Sequence, residues 1–221
     1  MIGFLGMALF AVGDVLMQSF SNDGTDILLM MKASVEDMPI GRLYFTLLTG
    51  IIAAPSMYFG LCTMDSYLRD RIGNQKGKMY RCFQVGSIIG VLSFFAAHSV
   101  CAVLMMAVKQ AFVCGISPDT VDVAYRTPFL VSFIATNLWV TVSELCLSVA
   151  FIYFVLKRTI PLPKAAVLQN TIGFFIILNT VSALLTSLTG NEIFTLLGKS
   201  GASLGMGAMF LAIACACGQE G

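Results

Sequence analysis

Apolar residues run along the chain in six long stretches, and the charged residues gather mainly in the shorter segments between them. A transmembrane helix needs about 20 predominantly apolar residues, and each stretch comes close to that length or exceeds it. The pattern predicts an all-α fold, a polytopic bundle of six transmembrane helices forming a single integral membrane domain over residues 1–221. The predicted spans are residues 2–20, 43–64, 82–108, 128–156, 165–188 and 194–217.

Capping and helix-breaking residues mark several ends of these spans. Thr127 is placed to cap the fourth span, with Pro128 at its first helical position. The fifth span is expected to stop at Thr189-Gly190, because glycine commonly follows the end of a helix. The sixth span has two candidate starts, one near Asn191 and one near Ser200.

The composition excludes a water-soluble or a disordered chain. Apolar residues make up 57% of the sequence and charged residues 11%, with a mean hydropathy of +0.87, whereas soluble domains carry about 25% charged residues. Disorder requires low hydrophobicity. The formal net charge of +1 gives no reason to expect a nucleic-acid partner, because phosphate binding needs a clustered basic surface. We therefore expect an integral membrane protein surrounded by lipids.

The basic residues predict the orientation of the bundle. Of the thirteen Lys and Arg residues, eight fall in the loops after the second and the fourth span: Arg69, Arg71, Lys76, Lys78, Arg81, Lys157, Arg158 and Lys164. The positive-inside rule places these loops, and with them both termini, in the cytoplasm. Residues 1–20 lack a basic n-region and a cleavage site, so we expect a retained first span rather than a signal peptide.

Two loops on the opposite, outer face carry helical signals of their own. Apolar residues recur at helical spacing over residues 27–38, which predicts a short helix along the membrane interface that stops at Pro39. Ser117-Pro118-Asp119 is typical of a helix start, with a cap, a first-position proline and an acidic first turn. These loops are expected either to cover helix ends or to roof a cavity.

Several spans carry polar side chains that are costly in lipid. A charged side chain at the centre of a bilayer costs about 2.5–3.5 kcal/mol on insertion scales, so such residues are expected to face the bundle interior or a wet cavity. At about 1.5 Å of rise per residue, these positions lie between about 9 Å and about 24 Å from the outer ends of their spans. They are Asp14, His98, Asn137, Glu144, Asn179 and Lys199. Their convergence from five spans predicts a buried polar cavity.

The fourth span carries a polar stripe. Its members follow one another at steps of four, three and four residues, which places them on one helix face; they are Asn137, Thr141, Glu144 and Ser148. Asn137, Thr141 and Ser148 suit either a hydrogen-bonded helix seam or a cavity wall. A seam does not require a carboxyl group near the midplane. Glu144 is therefore the expected proton-exchanging group, with Asn137, Thr141 and Asn179 as ligand contacts.

Three further groups have both a structural and a functional interpretation. Asp14 and Lys199 lie at similar depth and are expected to form a structural or gating ion pair, although snorkelling also explains Lys199. His98, the single histidine, is either a satisfied core residue or a proton relay and ligand contact. With one histidine and no Cys-x-x-Cys, we expect no metal site. No motif for ATP, haem or flavin predicts a bound cofactor.

Small residues and the order of the spans suggest how the helices pack. Gly86-x-x-x-Gly90 and Gly201-x-x-x-Gly205 are motifs of close helix contact in membranes. The acidic groups fall on the first and fourth spans and the basic groups on the third and sixth. This distribution fits a 3+3 inverted repeat, an arrangement found in transporters.

Three short segments in the first half of the chain carry a resemblance. They are Gly13-Asp14-Val15-Leu16, Met38-Pro39-Ile40-Gly41-Arg42-Leu43 and Ala97-His98-Ser99. These segments resemble a family of small bacterial multi-helix membrane proteins of unknown function. The resemblance implies a location in the bacterial inner membrane and adds no activity.

The leading hypothesis is a protein that binds or transports a small molecule or ion, with proton coupling at Glu144. The alternative is an intramembrane enzyme that acts on a lipid-like substrate, with Glu144 and His98 as general acid and base. A third hypothesis is an accessory subunit whose polar groups only fix helix packing. Membrane lipids and the unknown small molecule or ion are the expected partners, and homo-oligomerisation is left open.

Overall fold

The computed structural model describes residues 1–18, 38–73 and 77–218, and their regular structure is helical throughout. The α-helices are α1 (Ile2–Gln18), α2 (Ile40–Ile72), α3 (Lys78–Val113), α4 (Pro118–Leu156), α5 (Thr171–Thr189), α6 (Thr195–Lys199) and α7 (Gly201–Gly218). Short 3₁₀ helices at Lys164–Leu168 and Glu192–Phe194 precede α5 and α6. The predicted all-α class is confirmed.

Within the described part of the chain, five helices are long and apolar enough to cross a membrane: α2, α3, α4, α5 and α7. Helix α1 is apolar as well, but it has 17 residues, slightly fewer than the length usual for a span. The first predicted span, residues 2–20, extends beyond the described end of this helix. The apolar helices indicate an integral membrane protein.

The predicted start of the fourth span at Thr127 and Pro128 is wrong. Helix α4 begins at Pro118, where the Ser117 hydroxyl accepts a hydrogen bond from the Thr120 amide at 3.3 Å, and Pro128 lies inside the helix. The helix-start signal at residues 117–119 is thereby confirmed. A proline inside a helix removes one backbone hydrogen bond, and the regular turns on both sides of Pro128 let a helix of 39 residues continue through it.

The fifth predicted span begins later than expected, and the long helix of the sixth begins at Gly201, next to the candidate start at Ser200. Helix α5 starts at Thr171, because Asn170 caps it by accepting a hydrogen bond from the Gly173 amide at 3.1 Å. It ends as predicted, with Gly190 in the left-handed region at φ +66°. The sixth span is divided at Ser200, so Lys199 ends α6 instead of lying within one continuous helix. The predicted interfacial helix, residues 27–38, lies almost entirely outside the described residues.

Glycines allow the helices to approach one another closely. A Cβ atom on Gly90 of α3 would lie 2.5 Å from the Ser143 hydroxyl of α4, and one on Gly205 of α7 would lie 2.6 Å from the Thr171 Cα of α5. Both predicted small-residue motifs therefore lie at tight helix contacts. Between membrane helices such contacts stabilise through van der Waals packing, since lipid offers little hydrophobic driving force.

Helix α5 packs differently from the other long helices. Its buried residues are Thr171 at its beginning and Ser182 near its middle, and most of its other side chains are at least partly exposed. It rests on α7, where Gly201 and Gly205 face it. A hydrogen bond from the Ile172 amide to the Ser148 hydroxyl at 3.4 Å joins the N-terminal end of α5 to α4. Beyond this hydrogen bond, towards the C-terminal end of α5, the two helices border a cleft.

Candidate functional site

A cavity of about 1100 Å³ lies between α1, α3, α4, α5, α6 and α7. All seven residues singled out in the sequence line it: Asp14, His98, Asn137, Thr141, Glu144, Asn179 and Lys199. The reason is general, because polar side chains on membrane helices turn away from lipid and towards the bundle interior. The volume is slightly above the range of about 300–1,000 Å³ that is usual for small-molecule pockets. The contribution of each residue to ligand binding stays a prediction.

Asp14 joins three helices at the wall of this cavity. Its Oδ1 lies 3.1 Å from Nε2 of His98 on α3, and its Oδ2 accepts a hydrogen bond from the Ser203 hydroxyl of α7 at 2.7 Å. The carboxylate is therefore satisfied by two donors. Sequence reasoning missed Ser203, because a serine among the glycines and alanines of α7 gives no signal of a specific partner.

His98 occupies a narrow slot made by two glycines. A Cβ atom on Gly50 would lie 2.9 Å from the His98 Cβ, and one on Gly13 would lie 3.2 Å from its Nδ1. The Phe10 ring covers the imidazole with its centroid 4.5 Å away. His98 is 3% exposed. His98 is therefore held tightly among α1, α2 and α3, with one edge turned to Asp14.

The surroundings of the imidazole determine where its proton lies. Nδ1 of His98 is buried without a hydrogen-bond partner in the described part of the structure, whereas Nε2 faces Asp14. The proton that faces Asp14 is therefore on Nε2 of His98.

Glu144 is the unsatisfied acid of the cavity. Its Oε1 is buried, and no described residue provides it with a hydrogen bond. Its neighbour Ser143 turns to the other side and donates to the Gly86 carbonyl oxygen at 2.8 Å. The polar stripe on α4 therefore faces the cavity at Glu144, while adjacent positions bind α3.

The remaining members of the stripe make local hydrogen bonds. The Asn137 amide donates to the Phe133 carbonyl at 2.8 Å, and the Thr141 hydroxyl donates to the Asn137 carbonyl at 2.9 Å, both within α4. Both side chains are exposed on the cavity wall. Only Ser148 bridges two helices, through the amide of Ile172. The predicted helix seam thus exists at Ser148, whereas Asn137 and Thr141 lie on the cavity wall.

Helices α5 and α6 form a further part of the wall. The Asn179 amide donates to the Phe175 carbonyl at 2.8 Å and to the Gly198 carbonyl at 3.4 Å, which ties α5 to α6. Lys199 follows Gly198 and lines the same cavity. Asp14 has two other partners, His98 and Ser203. The ion pair of Asp14 with Lys199 stays a prediction.

The cavity opens on the side of the bundle. Leu145 of α4 and Phe175 of α5 line it, and both are also about half exposed, at 49% and 50%. Side chains that line a cavity and lie on the outer surface mark its mouth. The mouth is thus a gap between α4 and α5 that extends along α4 from Leu145 past Thr141 to Asn137.

The chain was compared with known proteins. A family model described as "Family of unknown function (DUF6796)" matches residues 1–220. The chain belongs to this family. Membership in the DUF6796 family confirms the expected resemblance to a family of unknown function and extends it over nearly the whole chain. No curated protein and no solved structure matches the sequence.

No three His, Cys, Asp or Glu side chains within residues 1–18, 38–73 and 77–218 are grouped so that they could hold a metal ion.

Proposed function

We propose that this DUF6796 protein binds or transports a small molecule or ion in its central cavity, with proton coupling at Glu144. The observation that carries the proposal is the buried Oε1 atom of Glu144, which has no hydrogen-bond partner among the described residues and belongs to a cavity-lining side chain. A buried polar atom without a partner costs about 1–3 kcal/mol. A bound ligand or a proton removes that cost.

The two acids of the cavity have different roles in this proposal. Asp14 is held by His98 and Ser203 and stabilises the junction of α1, α3 and α7. Oε1 of Glu144 has no such donor among the described residues and is available to a ligand. Asn137, Thr141 and Asn179 line the same volume and offer further hydrogen bonds. Lys199 contributes a positive charge to the wall.

The arrangement supports the enzyme hypothesis less well. An intramembrane enzyme with Glu144 and His98 as acid and base needs an imidazole nitrogen directed at the substrate. Nε2 of His98 faces Asp14, and Nδ1 lies against the position where a Cβ of Gly13 would be. His98 therefore serves as a structural partner of Asp14 in this proposal.

The membrane topology is a part of the proposal. We take α1 as an additional span, which brings the total to six, since it is apolar apart from Asp14 and Gln18 and packs with the other helices. The basic loops after α2 and α4 then place both termini in the cytoplasm of a bacterium, with the protein in the inner membrane. Helices α1–α3 and α4–α7 form the two halves of the predicted 3+3 inverted repeat.

The proposal is tested by untargeted mass spectrometry of small molecules that purify with the protein. Wild type is compared with Glu144→Gln, which keeps the side-chain shape and removes the charge. Asp70→Asn, an exposed position on α2, is the matched control. We expect a small molecule bound to wild type and to Asp70→Asn and depleted at least 10-fold from Glu144→Gln. Equal profiles from three equally stable proteins would contradict the proposal.

A further inference from the structure

The cavity combines acidic groups with aromatic walls. Phe94, Phe133 and Phe175 line the same volume as Glu144, together with Val140, Leu145 and Ile172. A fully hydrated inorganic ion gains nothing from such walls, and divalent cations such as Ca²⁺ need six or more oxygen ligands. Aromatic faces and a carboxylate together suit an organic cation, because the ring quadrupole attracts positive charge at about 0.5–2 kcal/mol per contact.

The charges of the cavity also favour a cation. The titratable groups that line it are Asp14 on α1, His98 and Cys101 on α3, Glu144 on α4 and Lys199 on α6. His98 is counted as neutral, as in the formal net charge at pH 7. If the positive charge of Lys199 cancels the negative charge of Asp14, an ionised Glu144 still leaves the cavity with one negative charge. A single proton or a monovalent cation neutralises it, and the two therefore compete for the same carboxylate.

The mouth of the cavity gives the route of entry. It lies between α4 and α5, where Leu145 and Phe175 are half exposed on the side of the bundle. In a membrane, the outer surface of α4 and α5 around this mouth faces the hydrocarbon core of the bilayer. A ligand that uses this route must partition into the bilayer before it reaches Glu144.

We propose that the ligand is a monovalent, lipophilic organic cation, which enters from the bilayer between α4 and α5 and exchanges with a proton at Glu144. This inference rests on the proposed function and names the ligand class of the same cavity. It requires a positive charge on the ligand, whereas the proposed function alone allows any charge.

A pair of probes with the same shape and opposite charges tests this inference. Tetraphenylphosphonium is a monovalent aromatic cation, and tetraphenylborate is an anion of nearly identical size. Binding of each is measured by isothermal titration calorimetry with the full-length protein in detergent. We expect wild type to bind tetraphenylphosphonium at least 10-fold more tightly than tetraphenylborate. We also expect its affinity to increase as the pH is raised, because fewer protons then compete for Glu144.

Three variants locate the binding. Glu144→Gln is expected to weaken tetraphenylphosphonium binding at least 10-fold and to abolish its pH dependence. Phe133→Ala, which removes an aromatic wall, is expected to weaken binding several-fold and to keep the pH dependence. Asp70→Asn is expected to leave both unchanged.

The results distinguish this inference from the proposed function. Equal binding of the two probes by wild type overturns the cation inference without any variant, and so does unchanged binding by Glu144→Gln. A neutral or anionic molecule that purifies with wild type and not with Glu144→Gln, without tetraphenylphosphonium binding, upholds the proposed function and overturns the cation inference. If wild type does not bind tetraphenylphosphonium and no small molecule is depleted from Glu144→Gln, both the cation inference and the proposed function are overturned.

Discussion

His98 donates a hydrogen bond from Nε2 to the Oδ1 of Asp14 over 3.1 Å and thereby joins α3 to α1 at the wall of the cavity. The second oxygen of Asp14 accepts from Ser203 of α7. In the proposed function the two acidic residues of the cavity have different roles: Asp14 stabilises the bundle, and Glu144 contacts the ligand.

Replacing Asp14 with Asn is expected to destabilise the protein. Asparagine has one acceptor oxygen for the two donors His98 and Ser203, so one hydrogen bond to a charged acceptor is lost, at about 1.5–3 kcal/mol. Thermal unfolding in detergent measures the effect, with Asp70→Asn as a control that leaves the unfolding temperature unchanged. An Asp14→Asn protein as stable as wild type would contradict the assigned network.

Gly13→Ala is expected to force α1 away from its neighbours. The added methyl group would lie 2.8 Å from the Thr49 hydroxyl and 3.2 Å from Nδ1 of His98. Overpacking of this kind costs about 1–3 kcal/mol. Gly41→Ala in α2 is the control, because nothing lies within 4 Å of its Cβ position. Equal unfolding temperatures for the two variants would show that the slot around His98 is not tight.

Arg158→Gly is expected to stabilise the protein. Arg158 follows α4 with φ +57°, in the left-handed region, and the Ile160 amide donates back to the Phe154 carbonyl at 3.1 Å. A residue with a side chain pays about 1–2 kcal/mol for this conformation relative to its ordinary one, and glycine adopts it freely. Lys157→Gly removes the same charge at φ −80° and is expected to give no such gain. A higher unfolding temperature for Lys157→Gly than for Arg158→Gly would contradict the argument.

Much of the candidate site could be predicted from helix periodicity and the cost of polar groups in lipid. The stripe at Asn137, Thr141 and Glu144 faces the cavity because its spacing matches the helical repeat. Asp14 and His98 could be assigned to the interior for the same reason. Such arguments predict which face of a helix turns inward, without specifying the partner on another helix.

Which side chains become partners across the cavity depends on how closely the helices approach one another. His98 reaches Asp14 because Gly13 and Gly50 leave room for its ring. The relative rotation and depth of the helices that bring these residues together are not encoded in any one helix. Lys199 was expected within a continuous sixth span, whereas the chain breaks at Ser200. Thr127-Pro128 predicts a helix start, whereas Ser117 provides the cap further upstream. In each case tertiary packing or a competing local signal decided the outcome.

The central claim is that Glu144 is the carboxyl group that exchanges a proton in the cavity, and carbodiimide labelling tests it most directly. Dicyclohexylcarbodiimide is an apolar reagent that reacts with protonated carboxyl groups, and peptide mass spectrometry identifies the modified residue. We expect Glu144 to be labelled in wild type, with less labelling as the pH is raised. We expect no labelling of Asp14, because its two oxygens are engaged by His98 and Ser203. Labelling of Asp14 with Glu144 unmodified, or labelling of Glu144 that does not change with pH, would contradict the account.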